Sequence, residues 1–183
     1  MNVSDVATLL AVAAIALGSI VAAAIVLWAL GRVWSPAERA WSTVVVSVGD
    51  QARWIAWGMA VVATAGSLYF SEIANFVPCT YCWYQRIAMY PVAAILLIAA
   101  ITRDERAVRY VIPIAVIGLG LSIYHYQLQL FPEQATACSS GVPCNAKYVE
   151  EFGFVSIPFM AGCGFIAVIA LQVAMLRARA VED

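Results

Sequence analysis

Five long apolar stretches constrain this chain more than any other feature. Each is about as long as the ~20 residues that a helix needs to cross the hydrocarbon core of a bilayer. The predicted spans cover about residues 6–30, 54–76, 83–102, 110–130 and 156–176. Because backbone groups in lipid must form their hydrogen bonds within their own segment, the pattern predicts an all-α integral membrane protein.

Composition excludes several other classes of protein. The 183 residues are 64% hydrophobic and 11% charged, with a formal net charge of −1. A soluble domain is about 45–50% apolar and about 25% charged. These values exclude a water-soluble globular protein and a disordered chain, and the near-zero charge argues against a nucleic-acid partner. Five spans leave room only for short connections.

The chain is predicted to have two parts: an N-terminal segment, 1–53, and a four-helix transmembrane bundle, 54–183. The first segment would hold one additional N-terminal transmembrane helix and an interfacial cytoplasmic helix. Residues 35–38, Ser-Pro-Ala-Glu, fit a capping box with proline at the first helical position. Apolar residues then recur on one helical face, at Trp41, Val44, Val45, Val48 and Ala52. The first span lacks a basic n-region and a clear cleavage site, so we interpret it as a retained helix.

Basic residues predict the orientation. Eight of the ten lie in three segments that alternate spans place on one side: Arg32, Arg39, Arg53, Arg103, Arg106, Arg109, Arg177 and Arg179. The positive-inside rule makes that side cytoplasmic. The N-terminus and the connections 77–82 and 131–155 are then extracytoplasmic, and the C-terminus is cytoplasmic.

Four of the five cysteines lie in the two outer connections. Cys79 and Cys82 form a C-x-x-C motif in one, and Cys138 and Cys144 lie in the other. Two spans separate the pairs, so both are predicted on the same, oxidising side, where disulfides persist. Cys163 lies within the last span and is interpreted as a small buried apolar residue.

The outer cysteines fit three kinds of site: structural disulfides, a zinc site, or two redox-active pairs. A disulfide across two intervening residues closes too small a loop to stabilise much, and closely spaced pairs are more often labile. Zinc would require four reduced thiols on an oxidising face. The redox interpretation is therefore favoured. A zinc-binding or disulfide-stapled membrane scaffold, or a small transporter with stapled loops, is the alternative.

Three ionisable residues are predicted at a similar shallow depth beside the first cysteine pair. Glu72, Arg86 and His125 each lie about one or two turns below the outer surface, where ionisable groups usually mark function or pair with each other. If a helix begins near Cys82, Arg86 shares its face and would favour a thiolate there. Snorkelling of Arg86 or a Glu72–Arg86 ion pair would be purely structural. Together with a thiol pair, the three residues suit an apolar acceptor of two electrons and two protons.

These motifs resemble one known family. Residues 78–86, Pro-Cys-Thr-Tyr-Cys-Trp-Tyr-Gln-Arg, with Met-Tyr-Pro at 89–91, are similar to the signature of the DsbB/BdbC disulfide bond formation proteins. The sequences at 124–126, 138–144, 152–154 and 157–158 resemble the BdbC-like branch. The resemblance covers about residues 54–176. In vitamin K epoxide reductase relatives the C-x-x-C follows the loop cysteines, whereas here it precedes them.

The resemblance implies a protein of the bacterial cytoplasmic membrane that reoxidises a DsbA-like thiol oxidase and passes electrons to a quinone, either ubiquinone or menaquinone. It implies that Cys138 forms the mixed disulfide with the partner and that Cys144 is its intramolecular mate. Cys79 would exchange with that pair, and Cys82 would face the quinone. No metal is expected.

The resemblance also implies a quinone-binding group. Arg86 and His125 match family residues, and Glu72 matches an acid of BdbC-like sequences. Two features depart from the four-helix pattern of the family: the first helix with the segment after it, and the short Cys138–Cys144 spacing. The short spacing limits how far Cys138 can travel towards Cys79, so it bears on the order of disulfide exchange.

Overall fold

The computed structural model describes residues 2–49, 51–137 and 142–182. The main elements are α1 (Val3–Gly31), α2 (Ser35–Gly49), α3 (Ala52–Leu68), α4 (Thr80–Thr102), α5 (Val108–Leu130) and α6 (Ile157–Glu182). A π-helical turn, Tyr69–Ile73, extends α3, and a 3-10 turn, Pro132–Ala137, follows α5. Within the described ranges, five helices are long and apolar enough to cross a membrane. The prediction of an all-α membrane protein is confirmed.

Two helix boundaries differ from the predicted ones in ways that affect the site. Helix α4 begins at Thr80, three residues before the predicted start, because Cys79 caps it. The second span ends in the π turn and not in a regular helix running to residue 76. Asn75 then adopts a left-handed conformation, with φ of 56°, that ends the helical segment.

Helix α6 lies at the centre of the packing. It contacts α1, α2, α3 and α5, while α3 packs against α4 and α4 against α5. The main buried cluster joins α3, α4, α5 and α6, and includes Ala60, Val92, Leu96, Val111, Phe165 and Val168. Gly118 lets α5 approach α6 closely, because a β-carbon there would lie 2.3 Å from the Phe165 ring.

The two N-terminal helices pack onto this bundle. Helix α1 lies against α6 and α2, and a β-carbon on Gly18 would lie 3.3 Å from Cys163 Sγ, which is buried. Helix α2 begins at Ser35, and the Trp34 carbonyl accepts from the backbone N–H of Ala37. Trp34, not Ser35, therefore occupies the cap position. Of the apolar face predicted for α2, only Val44 is exposed, because α2 packs on α1 and α6.

Contacts at one end of the bundle gather the arginine-bearing segments. Arg179 of α6 forms a salt bridge with Glu105 of the α4–α5 connection. At the end of α2, a β-carbon on Gly49 would overlap the Ala178 side chain. We call this the arginine end. Cys79 and Cys144 lie together at the other end, the cysteine end.

Candidate redox centre

Cys79 occupies the N-cap of α4. Its backbone is extended, with φ of −73° and ψ of 173°, and its Sγ accepts a hydrogen bond from the Cys82 backbone N–H at 3.3 Å. A helix N-terminus carries partial positive charge and favours an anion. The sequence-based prediction assigned this effect to Cys82. Because the helix begins at Thr80, the effect acts on Cys79 instead.

The two sulfurs of the C-x-x-C motif are in contact. Both thiols are free, and Cys79 Sγ lies 2.8 Å from Cys82 Sγ. The hydrogen bond from the Cys82 thiol lowers the pKa of Cys79 from 9.0 to about 4, with His125 acting in the same direction and burial opposing both. The negative charge of the pair is therefore held on Cys79.

His125 links this pair to the connection that carries Cys144. Its side chain, on α5, is only 2% exposed. Nε2 lies 3.1 Å from the Cys144 carbonyl oxygen and 3.5 Å from Cys79 Sγ. A carbonyl oxygen can only accept, so Nε2 carries the proton. Nδ1 is buried and has no hydrogen-bond partner among the described residues.

Cys144 is buried next to the C-x-x-C pair. It packs in a small cluster with Cys79 and Leu128, and it is disulfide-bonded. Cys138, its predicted partner, lies outside the described residues. One cysteine from each predicted pair thus meets at the cysteine end.

Arg86 is held by α3. Its Nε donates to Ser67 Oγ at 2.9 Å, and Nη2 donates to the Ser67 carbonyl oxygen at 2.8 Å. Ser67 lies two residues before the π turn that extends α3, and such turns often occur at functional sites. The guanidinium carbon also lies 5.1 Å from the centroid of the Trp83 ring. Among the described residues no carboxylate pairs with Arg86, so the Glu72–Arg86 ion pair is not formed.

A cavity of about 410 Å³ lies between α1, α3, α4 and α6. Most of its lining is apolar, and Cys82, Gln85 and Arg86 contribute polar groups from α4. This combination of volume, apolar walls and few polar groups is typical of small-molecule sites. A ligand in this cavity would contact both Cys82 and Arg86.

The structure does not bring together the three ionisable residues that the sequence groups. Arg86 lines the large cavity, whereas His125 lines a separate small pocket with Cys79 and Cys82. Glu72 is exposed, and its carboxylate accepts a hydrogen bond from Ser71 at 2.9 Å. Glu72 lies in the π turn, whose wider spacing shifts residues from the face that an α-helix would give them.

Two polar residues at the site were not identified from sequence. Ser67 holds Arg86, and Gln85, only 5% exposed, donates to Ser122 Oγ at 3.0 Å. Gln85 directly precedes Arg86 inside a span, which is a usable signal because a buried amide in a membrane helix requires a partner. Serine is common in membrane helices, so nothing local distinguishes Ser67.

Among the described residues, one group of three side chains could act as metal ligands. The ligand atoms of Cys79, Cys82 and His125 lie within 4.8 Å of one another. A four-cysteine zinc site would need a free thiolate from Cys144, which is disulfide-bonded. A three-ligand site would require His125 Nε2 to give up its proton and its contact with the Cys144 carbonyl. The geometry therefore favours a dithiol over a metal centre.

Comparisons with known proteins point to the same family as the sequence motifs. The family model described as "Disulfide bond formation protein DsbB" matches residues 49–176. "Disulfide bond formation protein C" of Bacillus subtilis is 50% identical over 115 residues, which are 62% of this chain and 83% of the relative. "Probable disulfide formation protein" of Oceanobacillus iheyensis is 48% identical over 127 residues, 66% of this chain and 86% of the relative. No solved structure gives a significant match.

The matched region contains α3 to α5, most of α6 and all four outer cysteines, whereas α1 and nearly all of α2 precede it. It covers most of the chain, and the relatives are matched over most of their own length. The fold, the C-x-x-C pair and the comparisons converge on one conclusion: the chain belongs to the DsbB family of disulfide bond formation proteins.

Proposed function

We propose that this protein is a membrane thiol–disulfide oxidoreductase that reoxidises a DsbA-like thiol oxidase and delivers the electrons to a membrane quinone. One observation carries the proposal. Cys82 contacts Cys79 on one side, and on the other it lines an apolar cavity together with Arg86. A sulfur in that position can exchange electrons with a second cysteine pair and with a ligand from the lipid.

The electron route uses both cysteine pairs. The partner's dithiol is oxidised to a disulfide while the Cys138–Cys144 disulfide is reduced. The resulting loop dithiol then reduces the Cys79–Cys82 disulfide. Each exchange oxidises one dithiol and reduces one disulfide, so two electrons move without any other oxidant. The Cys79–Cys82 dithiol would finally be oxidised back to its disulfide, and its two electrons and two protons would pass to the quinone.

Arg86 is proposed as the quinone-binding cation. Its two hydrogen bonds to Ser67 hold the guanidinium in the cavity wall, one helical turn from Cys82. A positive charge that is already positioned stabilises negative charge developing nearby without further rearrangement. The apolar walls exclude water and strengthen that effect.

His125 is proposed to act between the two cysteine pairs. Its Nε2–H lies within reach of both the Cys79 sulfur and the Cys144 carbonyl, so it positions the second pair beside the first. Glu72 is proposed to exchange protons with water at the cavity, because it adjoins Ser71, a lining residue.

The proposed site of action is the bacterial cytoplasmic membrane. The arginine end would face the cytoplasm, and the cysteine end would face the extracytoplasmic thiol oxidase. Labelling of single-cysteine variants in intact cells with a membrane-impermeant maleimide tests this orientation. Labelling of Cys138 from outside is expected, and labelling only after lysis would contradict it.

Purified protein tests the function directly. Reduced DsbA-like protein and quinone are added, and quinone reduction is followed by ultraviolet absorbance. We expect turnover that requires both the enzyme and the quinone. Partner oxidation that continues without quinone, or quinone that stays oxidised, would contradict the proposal. One tightly bound zinc per chain, with all four outer thiols reduced, would favour the scaffold alternative.

A further inference from the structure

The cavity beside Cys82 is not formed by the family-matched helices alone. Helix α1, which lies before the matched region 49–176, contributes four side chains to its lining: Leu10, Ala13, Ala14 and Leu17. Their spacing of three, four and seven residues puts them on one stripe of the helix. All four are hydrocarbon, whereas Cys82 and Arg86 come from α4.

Specific contacts hold α1 in that position. Near the cysteine end, the Thr8 hydroxyl donates to the Glu151 carboxylate at 3.2 Å. Ala7 is buried in a cluster with Phe70 of the π turn and Val149. Further along, Gly18 allows close approach of Cys163 on α6. Helix α1 is therefore joined to the π turn, to the connection after Cys144 and to α6.

Helices α1 and α3 both contribute to the lining of the cavity. The two helices approach each other at Gly66, where a β-carbon would lie 3.0 Å from Leu10 Cδ1. Ala13 of α1 and Val62 of α3 both line the cavity, and both are exposed. Exposed apolar residues on both helices would let a hydrocarbon chain pass between them.

We propose that α1 forms a wall of the quinone cavity, and that the gap between α1 and α3 is the passage for the isoprenoid tail of the quinone. The proposal rests on the quinone acceptor of the proposed function and adds the part of the chain that binds the apolar portion. Ala13 and Ala14 leave the space that the tail occupies, while α4 supplies the contacts to the reactive ring.

Photo-crosslinking tests the wall directly. A quinone that carries a photoreactive azide on its tail is bound to the full-length protein, and the labelled peptides are mapped. Label within residues 10–17 of α1, together with label on α3, is expected. Label on α3 or α4 without any on α1 would overturn this inference and leave the proposed function standing. Absence of label from all three helices would overturn the quinone acceptor as well.

A pair of matched variants tests whether the quinone tail occupies the volume beside Ala13. In Ala13→Phe the ring enters the cavity from an exposed position, so folding is not expected to suffer. Ala16→Phe adds the same ring at an exposed residue of α1 outside the lining. We expect the Kd for quinone to rise roughly tenfold in Ala13→Phe and less than about twofold in Ala16→Phe.

Exchange with the thiol oxidase serves as the internal control for this pair. Its rate is expected to be unchanged in both variants, because Cys79 and Cys144 meet beside the small pocket of His125, which neither alanine lines. Equal quinone affinity in Ala13→Phe and the unsubstituted protein would overturn the inference. Equal weakening by both variants would also overturn it, since the effect would not depend on the lining.

Discussion

The two sulfurs of the C-x-x-C motif lie in contact but face different surroundings. Cys79 caps α4 and meets the buried His125, Cys144 and Leu128. Cys82, within the first turn, lines a large apolar cavity with Arg86. Three residues of separation at a helix start therefore place one sulfur beside Cys144 and the other at an apolar cavity. Under the proposed function, this difference would let one local motif serve two kinds of electron transfer.

The largest expected effect comes from replacing either cysteine, because Cys79 and Cys82 are proposed to have different roles. We expect Cys82→Ser to abolish quinone reduction while Cys79 still forms a mixed disulfide with the loop pair. Cys79→Ser should form no such disulfide. Non-reducing electrophoresis with peptide mapping distinguishes them, and Cys163→Ser, a buried cysteine of α6, is the matched control. Identical trapped species from both variants would contradict the division of roles.

Replacing Arg86 tests the reaction with quinone separately from the exchange with the thiol oxidase. Arg86→Ala should lower kcat/KM for quinone by roughly 100-fold, because a positioned cation is lost. Exchange with the thiol oxidase should change less than about twofold. Arg86→Lys keeps the charge but not the paired hydrogen bonds to Ser67, and an intermediate loss is expected. Arg109→Ala, an exposed arginine at the arginine end, is the control. Equal losses in both partial reactions would refute a quinone-side role.

Replacing His125 tests the exchange between the two cysteine pairs. His125→Ala should slow exchange between the two cysteine pairs by about tenfold, as expected for one lost hydrogen bond to a charged group. Quinone affinity should stay the same, since His125 lines the small pocket and not the large cavity. Rapid-mixing exchange and equilibrium quinone binding measure the two effects. A loss confined to quinone binding would return His125 to the role that the family resemblance implies.

The smallest expected effect concerns the ionisation of the Cys79 thiol. Because the pKa of Cys79 is lowered to about 4, its thiolate should persist as the pH falls from neutral and disappear only near pH 4. Ultraviolet thiolate absorbance of the reduced protein follows this titration. In His125→Ala and Cys82→Ser the midpoint should move upwards, because each variant removes a group that stabilises the anion. A thiolate that is protonated already near neutral pH in the unsubstituted protein would show that Cys79 is not the anionic sulfur.

Much of the fold could be predicted because its signals are local. Apolar length determines the spans, and the parity of five spans predicts both cysteine pairs at one end. Among the described residues, Cys79 and Cys144, one from each pair, do pack together. The predicted start of α4 was three residues too late, because cysteine is not among the residue types that commonly mark a helix N-cap. The π turn was also missed, and with it the outward position of Glu72.

The sequence by itself determined the class of protein, the helices that cross the membrane and the residues able to do redox chemistry. These properties follow from hydrophobicity and from side-chain type, which neighbouring residues suffice to define. Only the tertiary structure decided that Arg86 is held by Ser67, that His125 lies beside Cys79, and that α1 lines the cavity. Each of these contacts depends on how helices that are distant in sequence pack together. That packing depends on the complementarity of entire helix surfaces, which no short stretch of sequence specifies.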